Sequence, residues 1–356
     1  MPAFLIWMLF PVYPVHSTSV PCPPANDGCD CQGVIKFVNC SRAALVYIPS
    51  DLPPDTEHYD LSKNNLTTVP LGAFSSLWRL RFLLMNDNSI SSIEDGAFSS
   101  LESLQRLDLS RNKISTLSVG FTRGLASLRE LLLSENQLTA LASRSFQHLD
   151  HLQKLSLSGN HIGFIEIRAF EHLTQLRQLH LENNQLTSLT DSMFSMLAAL
   201  EILNLHGNQI KDTNLGVFTP LISLAVLNLT NNLLTNINFK TFIRIHTYET
   251  HLLLADNQWY CDCDLQRVFR KLQNVQRLTL DDYSNLTCKK PEELRGRKLE
   301  EVDSQLCIGE TVTVLIITLT VVITVVAAIV MAEKNRKKRT GKHWSEESDL
   351  SYDSQD

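Results

Sequence analysis

Eight cysteines carry the reactive chemistry of this 356-residue chain, and they fall in two groups of four. The first reads Cys22-x6-Cys29-x-Cys31-x8-Cys40 and the second Cys261-x-Cys263-x24-Cys288-x18-Cys307. Four thiolates at short spacing can close round a zinc ion. The C-x-C spacing, the even count and a secretory context favour disulfides instead. No metal and no cofactor is therefore expected. Four Asn-x-Ser/Thr sequons, at Asn39, Asn65, Asn228 and Asn285, supply a second chemistry, glycan attachment in a luminal or extracellular compartment.

What positions these groups is a repeat. Leu104, Leu107, Leu109, Asn112, Ile114 and Leu117 spell L-x-x-L-x-L-x-x-N-x-L-x-x-L. The asparagine recurs every 24 residues from Asn64 to Asn232, and Asn257 follows after 25. A leucine column from Leu77 to Leu221, ending in Ile245, keeps the same period. So does a phenylalanine column from Phe74 to Phe242, broken where Phe121 sits one place early. Columns in register over nine turns define an α/β solenoid with one coil per repeat. Each L-x-L core is a short extended segment, and successive segments stack as a parallel sheet at about 4.8 Å per strand. Each asparagine amide is placed to satisfy backbone groups where the chain leaves the strand. The Phe and second Leu columns fill the wider outer side and bend the stack into an arc.

The pattern resembles the 24-residue class of extracellular leucine-rich repeats over roughly Thr56 to Trp259. That resemblance implies a horseshoe with a parallel concave sheet. The flanking cysteine groups look like the amino- and carboxy-terminal caps of such proteins, and the likeness implies pairing Cys22 with Cys31, Cys29 with Cys40, Cys261 with Cys288 and Cys263 with Cys307. After Cys263, Leu265, Val268, Phe269 and Leu272 recur at helical spacing, with Asp262 or Asp264 as N-cap. Where the family's cap motif reads N-P-W, this chain has Asn257-Gln258-Trp259.

Residues 1–19 are short, apolar and followed at once by cysteines, which reads as a signal peptide cleaved near Ser17 or Ser19. No Lys or Arg marks an n-region there. The expected order is then an amino-terminal cap over 20–55, nine repeats over 56–259, and a carboxy-terminal cap over 260–308. Residues 311–332 carry no charge and suit a membrane span, and 333–356 form a tail. Lys334, Arg336, Lys337, Lys338, Arg339 and Lys342 follow the span and place that tail in the cytoplasm, giving a single-pass type I protein of the plasma membrane. The tail is expected to be too short and polar to fold. With the tail balanced at six basic and six acidic residues, the region before the span holds the whole net charge of −6. No basic face suited to nucleic acid appears.

His58, His180, His206 and His251 occupy variable places in different repeats, with no nucleophile setting and no glycine-rich phosphate loop beside them. The chain does not read as an enzyme. What remains is recognition. Residues between and beside the inward leucines point to the concave face. There Phe82, Leu84 and Leu132, with Arg106 and Arg129 nearby, form an exposed apolar cluster rimmed by charge, the pattern of a protein-binding hot spot. The expected partner is a protein ligand, extracellular or on a neighbouring cell, and the expected role is a receptor or adhesion molecule with no signalling domain of its own. The alternative is an auxiliary subunit of a membrane complex, similar to the gamma subunits of large-conductance potassium channels, which carry fewer repeats. It would use a strip of small residues, Thr320, Thr324, Ala328 and Ala332, to pack against a partner span or a second copy.

Overall fold

A computed structural model describes residues 20–21, 28–32 and 36–349. The proposed signal peptide, Cys22 and the last seven residues lie outside that range. The repeats form the expected solenoid. Its principal sheet has 13 strands in chain order, the convex-side strands being skipped. Pairing is parallel from Phe37–Asn39 through His58–Asp60 and each successive repeat to Leu278–Leu280. Both caps therefore add a parallel strand beyond the repeats.

Each of these parallel strands is three or four residues long because only the x-L-x core is extended; the central leucine, such as Leu83, Leu107 or Leu131, is buried and its neighbours are half-buried. Leaving the strand, the chain turns through a left-handed residue directly before every ladder asparagine. These are Lys63, Asp87, Arg111, Glu135, Gly159, Asn183, Gly207, Asn231 and Asp256. The seven non-glycine residues among them cost about 1 kcal/mol or more each. The asparagine that follows makes the turn worthwhile. Asn160, buried, donates through Nδ2 to Leu133 O and Leu157 O at 2.9 Å each and accepts from Leu138 N at 3.1 Å. It thus ties its own coil to the preceding one, and the same bonds recur from Asn64 to Asn257.

The phenylalanine column is a buried spine. Phe74 and Phe98 stack at 5.9 Å, and Phe146 and Phe170 at 6.0 Å. Phe121, one residue early, remains buried but meets Phe98 edge-on at an interplanar angle of 85°. The displaced residue is absorbed at Gly124, with φ +89°, where a Cβ would lie 2.5 Å from Phe98 O. Gly124→Ala should therefore destabilise the solenoid by about 3 kcal/mol, combining a forbidden φ with a clash against backbone. Gly163→Ala, where a Cβ meets nothing nearer than 3.8 Å, should change little. Thermal midpoints of the two solubilised variants check this.

At the amino end Cys29 and Cys40 are disulfide-bonded, and Cys31 is bonded to a partner outside the described residues. At the other end the disulfides are Cys261–Cys288 and Cys263–Cys307. The helix Cys263–Gln273 is capped by Asp262, which accepts from Leu265 N at 2.8 Å. It buries Leu265, Phe269 and Leu272, with Trp259 edge-on to Phe269 at 5.5 Å. Each such side chain contributes about 1.5–3 kcal/mol on burial. Asp282 and Arg277 finish the lid. Asp282 accepts from Leu254 N and Ala255 N at 2.7 Å, and the Arg277 guanidinium donates to Ile245 O and Ile243 O. These are backbone groups for which the last coil has no following repeat.

Among the described residues, one helical stretch, Val312–Lys337, is long and apolar enough to cross a membrane. It belongs to a continuous helix, Ile308–Asp349, that runs on into the expected tail. Extending an existing helix avoids the cost of nucleation, and the Lys, Arg and Glu of the tail are good helix formers.

Candidate recognition face

The in-register pairing sets the concave columns. Phe37, His58, Phe82, Arg106 and Glu130 align in one, and Asn39, Asp60, Leu84, Asp108 and Leu132 in the next. Phe82 is half-buried rather than exposed, because His58 stacks on it at 4.4 Å and 8° while Arg81 lies 5.9 Å from its ring. Phe37 meets the other side of His58 edge-on at 6.4 Å. His58, which reads in sequence as a solvated histidine, is the middle of a three-ring stack. Leu84 and Leu132 are likewise half-buried, each beside an aspartate of the neighbouring strand.

The charged rim is largely paired within itself. Arg106 bonds Glu130 at 3.1 Å and reaches Asp108 at 3.8 Å. Arg111 grips Asp87, and hydrogen bonding from that guanidinium holds the Asp87 carboxyl below its ordinary range. Arg129 stands apart. It lies in a groove at the amino ends of the strands, with Lys36, Glu57, Arg79 and Arg81, rather than beside Leu132 on the face. Further along, burial pushes the Glu182 carboxyl up, and hydrogen bonds led by His180 outweigh it and leave the group below its usual value.

Two sequons share the column of Leu84 and Leu132. Asn39 and Asn228 sit at the first and ninth of the parallel strands, with seven strands between them. In each, the sequon hydroxyl residue donates to the Asn Oδ1: Ser41 Oγ at 2.8 Å and Thr230 Oγ1 at 2.7 Å. Because Thr230 spends its proton there, it accepts from His206 Nδ1 at 2.7 Å. Asn65 and Asn285 are exposed, off this column. On the long helix, Thr320 and Thr324 donate their hydroxyls to Ile317 O and Val321 O at 2.8 Å each, so the small-residue strip they share with Ala328 and Ala332 offers contact surface and no free hydroxyl donor. Among the described residues no cluster of three or more His, Cys, Asp or Glu is arranged to hold a metal ion.

These coils are leucine-rich repeats, and the fold is a leucine-rich-repeat solenoid. Residues 83–138, 126–186 and 174–234 match the family model described as Leucine rich repeat. The human leucine-rich repeat-containing protein 3B is 42% identical over 94 residues, 26% of this chain and 35% of that protein. The chain thus spans about a third of the length of the curated relatives it matches. Among solved structures, a chain of the complex of Latrophilin 3, Unc5D and FLRT2 (LRR) superposes with a TM-score of 0.67 at 26% identity, covering 79% of this chain and 98% of its own length. Human 5T4, the trophoblast glycoprotein, gives 0.56 at 28% identity, covering 77% and 94%. The domain resembles extracellular protein-recognition modules.

Proposed function

We propose that this chain is a single-pass protein of the plasma membrane, amino terminus outside, whose solenoid recognises a protein partner on its concave face. The observation that carries this reading is the stack of Phe37, His58 and Phe82 beside Leu84 and Leu132 on a rigid parallel sheet. Aromatic anchors held in place by stacking lose little freedom on binding, which is what a hot spot requires. Glycans on Asn39 and Asn228 would close both ends of the same column and leave the strands between them as the open surface. The basic residues that follow the span favour a cytoplasmic carboxy terminus. The neighbouring solved structure that holds FLRT2 with Unc5D and Latrophilin 3 is consistent with a role in protein complexes.

The test is proximity labelling on living cells, with the tag on the solenoid of the full chain. Phe82→Ser combined with Leu132→Ser should lose most of the extracellular proteins that the wild type labels, at equal surface level. An unchanged set of labelled proteins would place recognition elsewhere.

A further inference from the structure

Beside the concave face, at the amino ends of its strands, runs a groove of about 640 Å³ with no apolar residue in its lining. It crosses the coils from Lys36 to Gln175. Its floor is one column of the repeat, reading Glu57, Arg81, Gln105, Arg129 and Gln153. Arginine and glutamine alternate along it, so Arg81 and Arg129 stand two strands apart, roughly 10 Å at the spacing of a parallel sheet.

Charge in the groove is unbalanced. Lys36, Arg79, Arg81 and Arg129 face a single carboxylate, Glu57. Glu57 is already engaged by Lys36 at 2.7 Å and Arg81 at 3.6 Å, and the Lys36 hydrogen bond is the main cause that holds its carboxyl below the ordinary range. Arg79 lies over the Trp78 ring at 4.5 Å, and Arg129 makes no ion pair among the described residues. Beyond the groove Arg177 continues the column but is closed off by Glu201 at 2.5 Å. The backbone here has nothing to offer a ligand, because each step of the column bonds the next: Arg81 N to Glu57 O, Gln105 N to Arg81 O, Arg129 N to Gln105 O, all at 2.8 Å.

We propose that this groove binds a sulfated polysaccharide, a glycosaminoglycan segment lying across the strand ends. Guanidinium forks match the oxygens of a sulfate group as they match phosphate. The glutamine amides and the Ser103 and Ser127 hydroxyls suit the hydroxyls of the sugar between sulfates. An acidic peptide fits less well, since it would find neither a free strand edge nor a pocket for apolar side chains. Because the whole chain is acidic, at −6, attraction depends on this local surplus and is screened by salt.

The experiment uses the full chain in detergent, with a sulfated heparin oligosaccharide as probe. Its desulfated form and polyglutamate serve as controls. The sulfated probe should bind, more weakly as salt rises. Arg81→Ser with Arg129→Ser should raise Kd at least about tenfold, and Arg129→Ser alone about threefold, given the strength of charge-assisted bonds. The single variant matters because Arg129 holds no ion pair whose loss would disturb the fold. Lys113→Ser with Lys211→Ser removes the same charge from outside the groove and should stay within about twofold, as general attraction is screened. Failure of the sulfated probe to bind, equal binding by the desulfated probe or by polyglutamate, or wild-type affinity in the groove variants would overturn the proposal.

Discussion

Asn160→Ala should lower the stability of the solenoid by about 2–3 kcal/mol, since it orphans one buried backbone N–H and strips a second donor from two buried carbonyls. Leu138 N loses its acceptor in a place that water does not reach, while Leu133 O and Leu157 O each lose one of two donors and keep the amides of Asn136 and Asn184. The side chain is small, so lost apolar burial contributes little. Asn160→Asp should be no better, because a carboxylate cannot donate to the two carbonyls and is itself buried beside them. On the scale of a domain of about 200 residues this corresponds to a midpoint lower by about 5–10 °C in thermal denaturation of the solubilised chain. A midpoint within about 2 °C of wild type would show that the ladder is not what joins the coils.

Cys263→Ser should be as damaging, by a different route. The Cys263–Cys307 bond closes a loop across 44 residues, and losing a disulfide of this kind costs about 2–5 kcal/mol. The same bond ties the segment after Leu299 to the helix whose Leu265, Phe269 and Leu272 roof the last coil. An unroofed solenoid exposes its core at one end. The expected result is retention within the secretory pathway, read as loss of surface staining with total protein present. Normal surface staining would mean that the lid holds without this bond.

The coils were legible because one column of asparagine and two of apolar residues repeat every 24 residues, and a buried position tolerates few residue types. The turn before each asparagine was not. Lys63, Arg111 and Glu135 adopt positive φ there, residue types that give no hint of it, and the glycines, asparagines and aspartates at the other six positions suggest a turn only once the column is aligned. Phe121 shows the same boundary from the other side. Its early position was visible, but its edge-on contact with Phe98 and the compensation at Gly124 depend on packing between coils.

The candidate face was half legible for a related reason. Phe82, Leu84 and Leu132 stand out within the repeat. His58 does not, because Phe37 lies in the cap and becomes its neighbour only through the register of the cap strand with the first repeat. That register also brings Asn39 into the column of Asn228. Arg106 and Arg129 look alike in sequence, in adjacent repeats but one position short of a full 24-residue period. Arg106 sits on a strand, where Glu130 and Asp108 neutralise it, while Arg129 sits one position before a strand and turns into the groove. A shift of one position along the coil changes which surface a side chain serves.

The central claim is that the open stretch of the concave face, between the two sequon-bearing ends, is where a protein partner docks. Hydrogen exchange of the full chain, with and without a partner recovered by the surface labelling, tests it most directly. The account predicts slowed exchange in segments carrying His58–Asp60, Phe82–Leu84, Arg106–Asp108 and Glu130–Leu132, and no change around Val226–Asn228. Protection centred on Val226–Asn228, or on the convex side around Phe164–Ile165, would contradict it.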